Sequence, residues 1–588
     1  MCTYYIVKKS ILVVVTTLIS STILCQSIQS GIVVNERGIP ISYVHIFSKK
    51  EKKVYFTNSK GIFNIPISNN DTLTFSHSYF LKKNVAVTAR DSFCTITLQP
   101  SNQSFHYQQS GNVEKIKNYN KGELTYTSIG EESYSNKIEN NFITTTSSSY
   151  QVGLHSHKAS YTNVRRFIEQ KIEIPKEAVR IDEMLNYIAS NIDTTNYNSF
   201  QIRTALTACP WNKDNKLLHI IVHTPTISLD HVPACNLVFL IDISGSMDMP
   251  NRLPIIKTAM HGLINQLRDI DTISIVTYGG NVGIQINGIS GSNKLLLHKT
   301  IDTLEASGST PGSFALHTAF QLASAHFITK GNNRVILCTD GDFNVGATGE
   351  KALEAVIEKA QQKNILLTCL GVGVGNLKDS KLEALANKAK GMYAYIDNEE
   401  EADNILWKDF SQTFHSIAHH AVLSIQFDTT VIEQFRLIGY ENKSNTTNNV
   451  TIIEGGELSP HFSTDIIWEI TPTQKAYNIL NKDSFAFIQS PASVLLKYWS
   501  PIKDSLHQLK IKSVLNGKEL SLSDPYIQLY TSVSMYGSVL RQSKYINKHS
   551  LKAIKKIVEN TNLLNNHIAL YFYKLVLQSI VLKKKKLF

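Results

Sequence analysis

The apolar run Leu237-Val-Phe-Leu-Ile, ending abruptly in Asp242, constrains this chain more than any other stretch. Consecutive aliphatic and aromatic residues with no polar alternation describe a strand covered on both faces, as in a parallel sheet flanked by helices. The residues that follow switch to a helical period: Ile255, Ile256, Ala259, Met260, Leu263, Ile264 and Leu267 fall on one face. The alternation then repeats, with strands expected at 273–278, 334–339 and 365–372 and helices at 295–304, 313–327, 350–362 and 377–389. This order predicts a doubly wound, Rossmann-like α/β domain over residues 234–414, with a ligand crevice at the carboxyl ends of its strands.

That rim gathers chemistry. Asp242-Ile-Ser244-Gly-Ser246 packs a carboxylate and two hydroxyls into the turn that leaves the strand. Asp and Ser at such a place commonly cap the next helix, which accounts for any one of them but not for their remote partners. Those are Thr310, in Gly308-Ser-Thr310-Pro-Gly312, and Asp340, in Thr339-Asp340-Gly341-Asp342, each expected on the same edge of the sheet. Asp242, Ser244, Ser246, Thr310 and Asp340 offer oxygen alone, the preference of a hard cation such as Mg2+, Mn2+ or Ca2+. A zinc site would call for histidine or cysteine.

The Asp-x-Ser-x-Ser turn, the threonine and the Thr-Asp-Gly segment resemble the metal-ion-dependent adhesion site (MIDAS) of von Willebrand factor type A domains. The resemblance implies that Ser244, Ser246 and Thr310 coordinate the ion directly while Asp242 and Asp340 act mainly through bound water. One position would stay open for a partner's carboxylate. Further segments widen the likeness: Ala159-Ser-Tyr-Thr-Asn-Val-Arg-Arg-Phe, Val179-Arg-Ile-Asp-Glu-Met-Leu-Asn-Tyr187, Cys209-Pro-Trp-Asn, Gly331-Asn-Asn-Arg-Val-Ile, Thr339-Asp-Gly-Asp-Phe-Asn-Val-Gly346 and Leu437-Ile-Gly-Tyr-Glu-Asn442 look like the YfbK-like bacterial family. In that family the central domain lies between a characteristic N-terminal region, here 159–233, and a C-terminal region, here 415–588 and read as β-rich, then helical. His155-Ser-His157-Lys158 departs from the family, which carries acidic residues before the Ala-Ser-Tyr.

At 588 residues the chain needs several cores. Lys8 and Lys9 precede an apolar run from Ile11 to Leu24, a signal-peptide pattern over residues 1–25 with removal near Cys25 or Gln26 and lipidation of Cys25 as the alternative. Residues 27–100 alternate short β-branched runs with turn signals, as in a small antiparallel β-sandwich. Their Gly31-Ile-Val-Val, Gly38-Ile-Pro-Ile and Thr57-Asn-Ser-Lys-Gly-Ile-Phe segments resemble the carboxypeptidase regulatory-like domain of exported Bacteroidetes proteins. Residues 101–158, rich in Ser, Asn, Thr and Tyr without apolar period, read as a flexible linker. The apolar helix expected at 569–582 contains Lys574 and is short for a membrane span, so it is assigned to core packing.

Other chemistry fares worse. The net charge of +11 is spread widely except for Lys583–Lys586, and no nucleic-acid module is recognisable. Of the cysteines expected to remain after export, Cys94, Cys209, Cys235, Cys338 and Cys369, only Cys209 with Cys235 offers a plausible bridge. His415, His419 and His420 read as polar surface rather than a metal pair, and Gly371-Val-Gly373-Val-Gly375 as a tight turn rather than a dinucleotide loop. No phosphate-cradling Gly-Lys-Ser and no nucleophile elbow appears. A hydrolase would need a base near the ion, where only Asp248 and Asp342 are close in sequence.

The expectation is therefore a non-enzymatic, exported binding protein of the periplasm, outer membrane or cell surface, with a protein partner supplying a carboxylate and with envelope association. A non-catalytic subunit of a chaperone-like or metal-inserting ATPase assembly is the alternative. Oligomeric state is left open.

Overall fold

The computed structural model describes residues 27–99 and 132–584, apart from short breaks of which 478–490 is the longest. The chain divides into two compact units, Met1–Gly122 and Glu123–Phe588.

The first unit holds β1 (Ser27–Asn35), β2 (His45–Ser48), β3 (Lys53–Phe56), β4 (Ile62–Ile67), β5 (Asp71–His77), β6 (Phe80–Val87) and β7 (Cys94–Leu98). They form two sheets, ordered β4-β1-β7 and β3-β2-β5-β6, which share a core of Val33, Val44, Ile46, Phe63, Leu73, Phe75 and Leu98. The expected antiparallel arrangement needs one amendment, since β1 and β7 run parallel. The proposed signal peptide lies outside the described residues.

The second unit corrects the linker. Residues 101–131 are outside the description, but 132–158 are fixed, including β8 (Ile143–Thr144) and β9 (Tyr150–Gly153). Charges and backbone bonds anchor the first part of this stretch, and farther on Tyr150, Val152 and Leu154 enter a hydrophobic core. Glu132 takes a two-pronged contact from Arg166 at 2.7 and 2.9 Å, Lys137 pairs with Glu383, and Glu139 meets Arg436 at 3.0 Å. A polar composition was mistaken for freedom.

After α1 (Ala159–Glu169) and α2 (Ile181–Ile192) come β10 (Gln201–Ala208) and β11 (Lys216–His223). The central domain follows with β12 (Cys235–Asp242), α3 (Leu253–Gln266), β13 (Thr272–Tyr278), β14 (Gly283–Ser290), α4 (Lys294–Asp302), α5 (Gly312–Ala325), β15 (Asn332–Thr339), α6 (Gly349–Gln362), β16 (Ile365–Val372), α7 (Asp379–Lys388) and β17 (Tyr393–Ile396). Its sheet is ordered β14-β13-β12-β15-β16-β17, parallel except for the β14 edge. Every residue of β12 is buried, with Leu237, Phe239 and Ile241 joining the core under α3, and Val238 and Leu240 the core under α5. Burying each such side chain contributes about 1.5–3 kcal/mol, which is why the run is uninterrupted. The chain builds outward from β12 in one direction and then from β15 in the other, so the topological switch lies between these two strands.

The C-terminal region adds β18 (His419–Phe427), β19 (Ile432–Ile438), β20 (Ser444–Thr446), β21 (Ser463–Pro472), β22 (Ala492–Ser500), β23 (Ser505–Lys512) and β24 (Gly517–Lys518), then α8 (Pro525–Leu540), α9 (Leu551–Asn560) and α10 (His567–Lys584). These do not form a β domain of their own. One sheet is ordered β24-β10-β11-β21-β19-β8 and a second β20-β9-β18-β22-β23, so strands from before and after the central domain interleave. The last helices pack with α1 and α2 in one core that includes Ile568, Phe572, Leu575 and Val576, and no helix among the described residues is long and apolar enough to cross a membrane.

Buried arginines tie the flanking elements to the central domain. Arg180 meets Asp379 at 2.6 Å and Glu183 at 2.7 Å, and Arg165 meets Asp397 at 2.6 Å and Glu401 at 3.0 Å. Within the family-departing segment, His155 pairs with Asp182 at 2.9 Å and His157 with the Asn387 amide oxygen at 2.8 Å, both out of solvent. The His-Ser-His stretch is thus an internal seam.

Candidate functional site

Asp242 is the last residue of β12, and its backbone register sets it opposite Tyr278 at the end of β13. Its carboxylate is 1% exposed, yet it has good partners. Oδ1 accepts from the Ser244 backbone N–H at 2.9 Å, closing the turn. Oδ2 accepts from Thr339 Oγ1 at 2.9 Å and Tyr278 OH at 3.1 Å. Burial pushes its pKa above the usual carboxylate range, hydrogen bonds from Ser244 oppose that rise, and the Asp340 charge adds to it.

The turn continues as a chain of oxygens. Ser244 Oγ lies 3.1 Å from Ser246 Oγ, which donates to Asp340 Oδ2 at 2.6 Å. Asp340 is fully buried while both serines are half-buried, so the carboxylates sit beneath a hydroxyl layer facing outward. Close backbone approach makes this possible: a Cβ on Gly279 would meet Ser244 N at 2.5 Å. Thr310 lies outside the described residues. The segment leading to it is nonetheless tied to the turn, because Gly245 N donates to Gly308 O at 3.0 Å and Ser307 N to Ile243 O at 2.6 Å. The structure therefore brings Asp242, Ser244, Ser246 and Asp340 into one cluster at the switch point.

Sequence reasoning missed Arg252. This residue precedes α3, is 4% exposed, and its Nη1 donates to Ser246 O at 2.8 Å and to Asp340 Oδ2. Gly373, at φ +79°, leaves the space beside it, since a Cβ there would collide with the guanidinium stem. The glycine-rich turn after β16 thus serves the side chain next door. Tyr278 and Thr339 were missed as well, although each ends a strand adjacent to β12 and register alone places them beside Asp242.

The remaining candidates separate. Asp248 is exposed and Asp342 lies outside the described residues. The suggested bridge is corrected: Cys209 and Cys235 are free thiols buried in different cores. His415 is also buried rather than on the surface, with Nε2 3.6 Å from Cys235 Sγ. Among the described residues no group of three or more His, Cys, Asp or Glu side chains gathers as a metal cluster.

Comparison with known proteins agrees with this architecture. Residues 236–408 match the von Willebrand factor type A domain, 128–219 a von Willebrand factor family, and 412–579 the C-terminal domain of the uncharacterized protein YfbK. The chain is 33% identical over 417 residues to the uncharacterized protein YfbK of Escherichia coli strain K12, covering 68% of this chain and 72% of that one. It is 26% identical over 255 residues to inter-alpha-trypsin inhibitor heavy chain H2 of Mus musculus, spanning 42% of this chain but about a quarter (26%) of that relative. A von Willebrand factor type A protein from Catenulispora acidiphila aligns at 15% identity and TM-score 0.36, covering 63% of this chain and 87% of its own. With its α/β sheet, its interleaved flanking strands and its similarity along most of both sequences, the chain belongs to the YfbK-like family of von Willebrand factor type A domain proteins.

Proposed function

We propose that this chain is an exported, non-enzymatic protein-binding module whose central domain holds one hard divalent cation, Mg2+ or a similar ion such as Mn2+ or Ca2+. Asp242, Ser244, Ser246, Thr310 and Asp340 would hold it. The observation that carries the reading is the hydrogen-bonded chain from Ser244 through Ser246 to Asp340, with Asp242 at its base, at the switch point of the sheet. Two buried carboxylates and half-exposed hydroxyls are a donor set suited to a hard ion that remains open to a ligand. The ion would supply an electrophile for a carboxylate on a partner protein. Asp242 would be kept in place by Thr339 and Tyr278, and the serines by the backbone contacts of the turn.

The front unit is proposed as a carboxypeptidase regulatory-like docking module behind a cleaved signal peptide, placing the protein at the cell envelope. Titration calorimetry of the full chain with Mg2+ tests the metal reading. Wild type is expected to bind and Asp242→Ala to lose at least tenfold in affinity, about 1.4 kcal/mol. Equal binding by the two chains would remove the claim.

A further inference from the structure

One of the oxygens that would face a cation, Asp340 Oδ2, already has one. Arg252 is buried, its Nη1 reaches both the Ser246 carbonyl and Asp340 Oδ2, and that same carboxylate oxygen accepts from Ser246 Oγ. Its position is built in: it immediately precedes α3, whose second residue is Pro254, and Gly373 makes room for the stem. The guanidinium therefore brings a positive charge into the site. The guanidinium offsets one negative charge that the oxygen ligands alone would present to an ion.

We propose that Arg252 is a resident counter-cation that competes with the divalent ion for Asp340, so that this chain binds its metal more weakly than Asp242, Ser244, Ser246 and Asp340 would without it, and metal entry requires the guanidinium to give way. The inference rests on the metal reading above. It makes occupancy depend on cation concentration, because the arginine fills the electrostatic role whenever the ion is scarce. The site is then a cation-responsive one.

The test uses Mn2+ as the probe, titrated calorimetrically into the full wild-type chain and into Arg252→Gln, Arg252→Lys and Asp242→Asn, each checked for its thermal unfolding transition. Arg252→Gln removes the charge and is expected to bind Mn2+ at least about tenfold tighter than wild type. Arg252→Lys keeps a charge but offers a compact, strongly hydrated ammonium in place of the fork, and is expected to fall between the two. Affinity in Arg252→Gln equal to or below that of wild type overturns the proposal. Should that variant fail to fold, the same outcome in Arg252→Lys overturns it. Binding by wild type that Asp242→Asn leaves intact counts against the metal reading instead, and no binding by wild type removes both.

Discussion

The two ends of the central sheet are built from the same strands and solve opposite electrostatic problems. At the amino ends, Arg334 of β15 meets Glu457 through two contacts of 2.8 and 2.6 Å and donates to Thr368 Oγ1 of β16 at 2.6 Å. Both partners of that ion pair are essentially removed from solvent, and the charges cancel. At the carboxyl ends, Asp340 pairs with Arg252 while Asp242 is held by hydroxyl and backbone donors, and the serines above them remain half-open. The first end is a closed joint with the C-terminal region. The second carries surplus negative charge beneath an accessible layer. Burial alone therefore does not tell the two ends apart; the imbalance of buried charge beside half-exposed hydroxyls does.

The sharpest break of this contrast is Arg334→Ala. Losing one partner of a fully buried pair leaves Glu457 uncompensated, so the second unit is expected to lose about 3–5 kcal/mol in denaturant unfolding. A loss below about 1 kcal/mol would mean that the joint is not closed. Next in size is Gly373→Ala at the open end. The positive φ of Gly373 and the crowding of Arg252 by any added Cβ predict a stability loss of about 1–2 kcal/mol. The same substitution should tighten Mn2+ binding, because the guanidinium is pushed from its place.

The smallest effect concerns His415, at the closed end beside Cys235. Burial, reinforced by the charges of Arg268 and Arg334, pushes its pKa down to about 3. Its folded value is thus below the ordinary 6.5, so between these values the unfolded chain takes up a proton that the folded chain refuses. The associated stability is full above pH 6.5 and is lost progressively as pH falls toward 3. Between pH 7 and 5.5 that amounts to about 1 kcal/mol. Thermal unfolding of His415→Gln across this range should show a shallower pH slope than wild type, and parallel slopes would refute the assignment.

Much of this was legible from residues alone, for identifiable reasons. Buried parallel strands read as unbroken apolar runs, so the β12, β13, β15 and β16 positions followed directly, and Asp242 and Asp340 were placed by where those runs stop. The β14 edge strand was not read, since Ile284 and Gln285 on it are exposed and its pairing with β13 is irregular. Residues 132–158 were misjudged because the anchors of their first part, such as Glu132 on Arg166, leave no periodic trace, and the alternation of Tyr150, Val152 and Leu154 is too short to stand out beside the Ser and Thr run before it. Arg252 escaped for a related reason: at the start of a helix a long basic side chain looks like solvent-facing charge, and only the fold shows it turned inward. The interleaving of β10 and β11 with β19 and β21 was hidden by distance along the chain.

That distance has a consequence for how the molecule comes into being. Asn215 and Glu469 are hydrogen-bonded partners separated by 254 residues, and the whole α/β domain is threaded between them. A nascent chain emerging from a ribosome can finish the inserted domain while the surrounding sheet still lacks its later strands. The flanking sheet must wait until β19 and β21 have been made. Assembly thus runs from the inserted domain to its flanks, and a protein halted midway would display a finished rim on an unfinished frame.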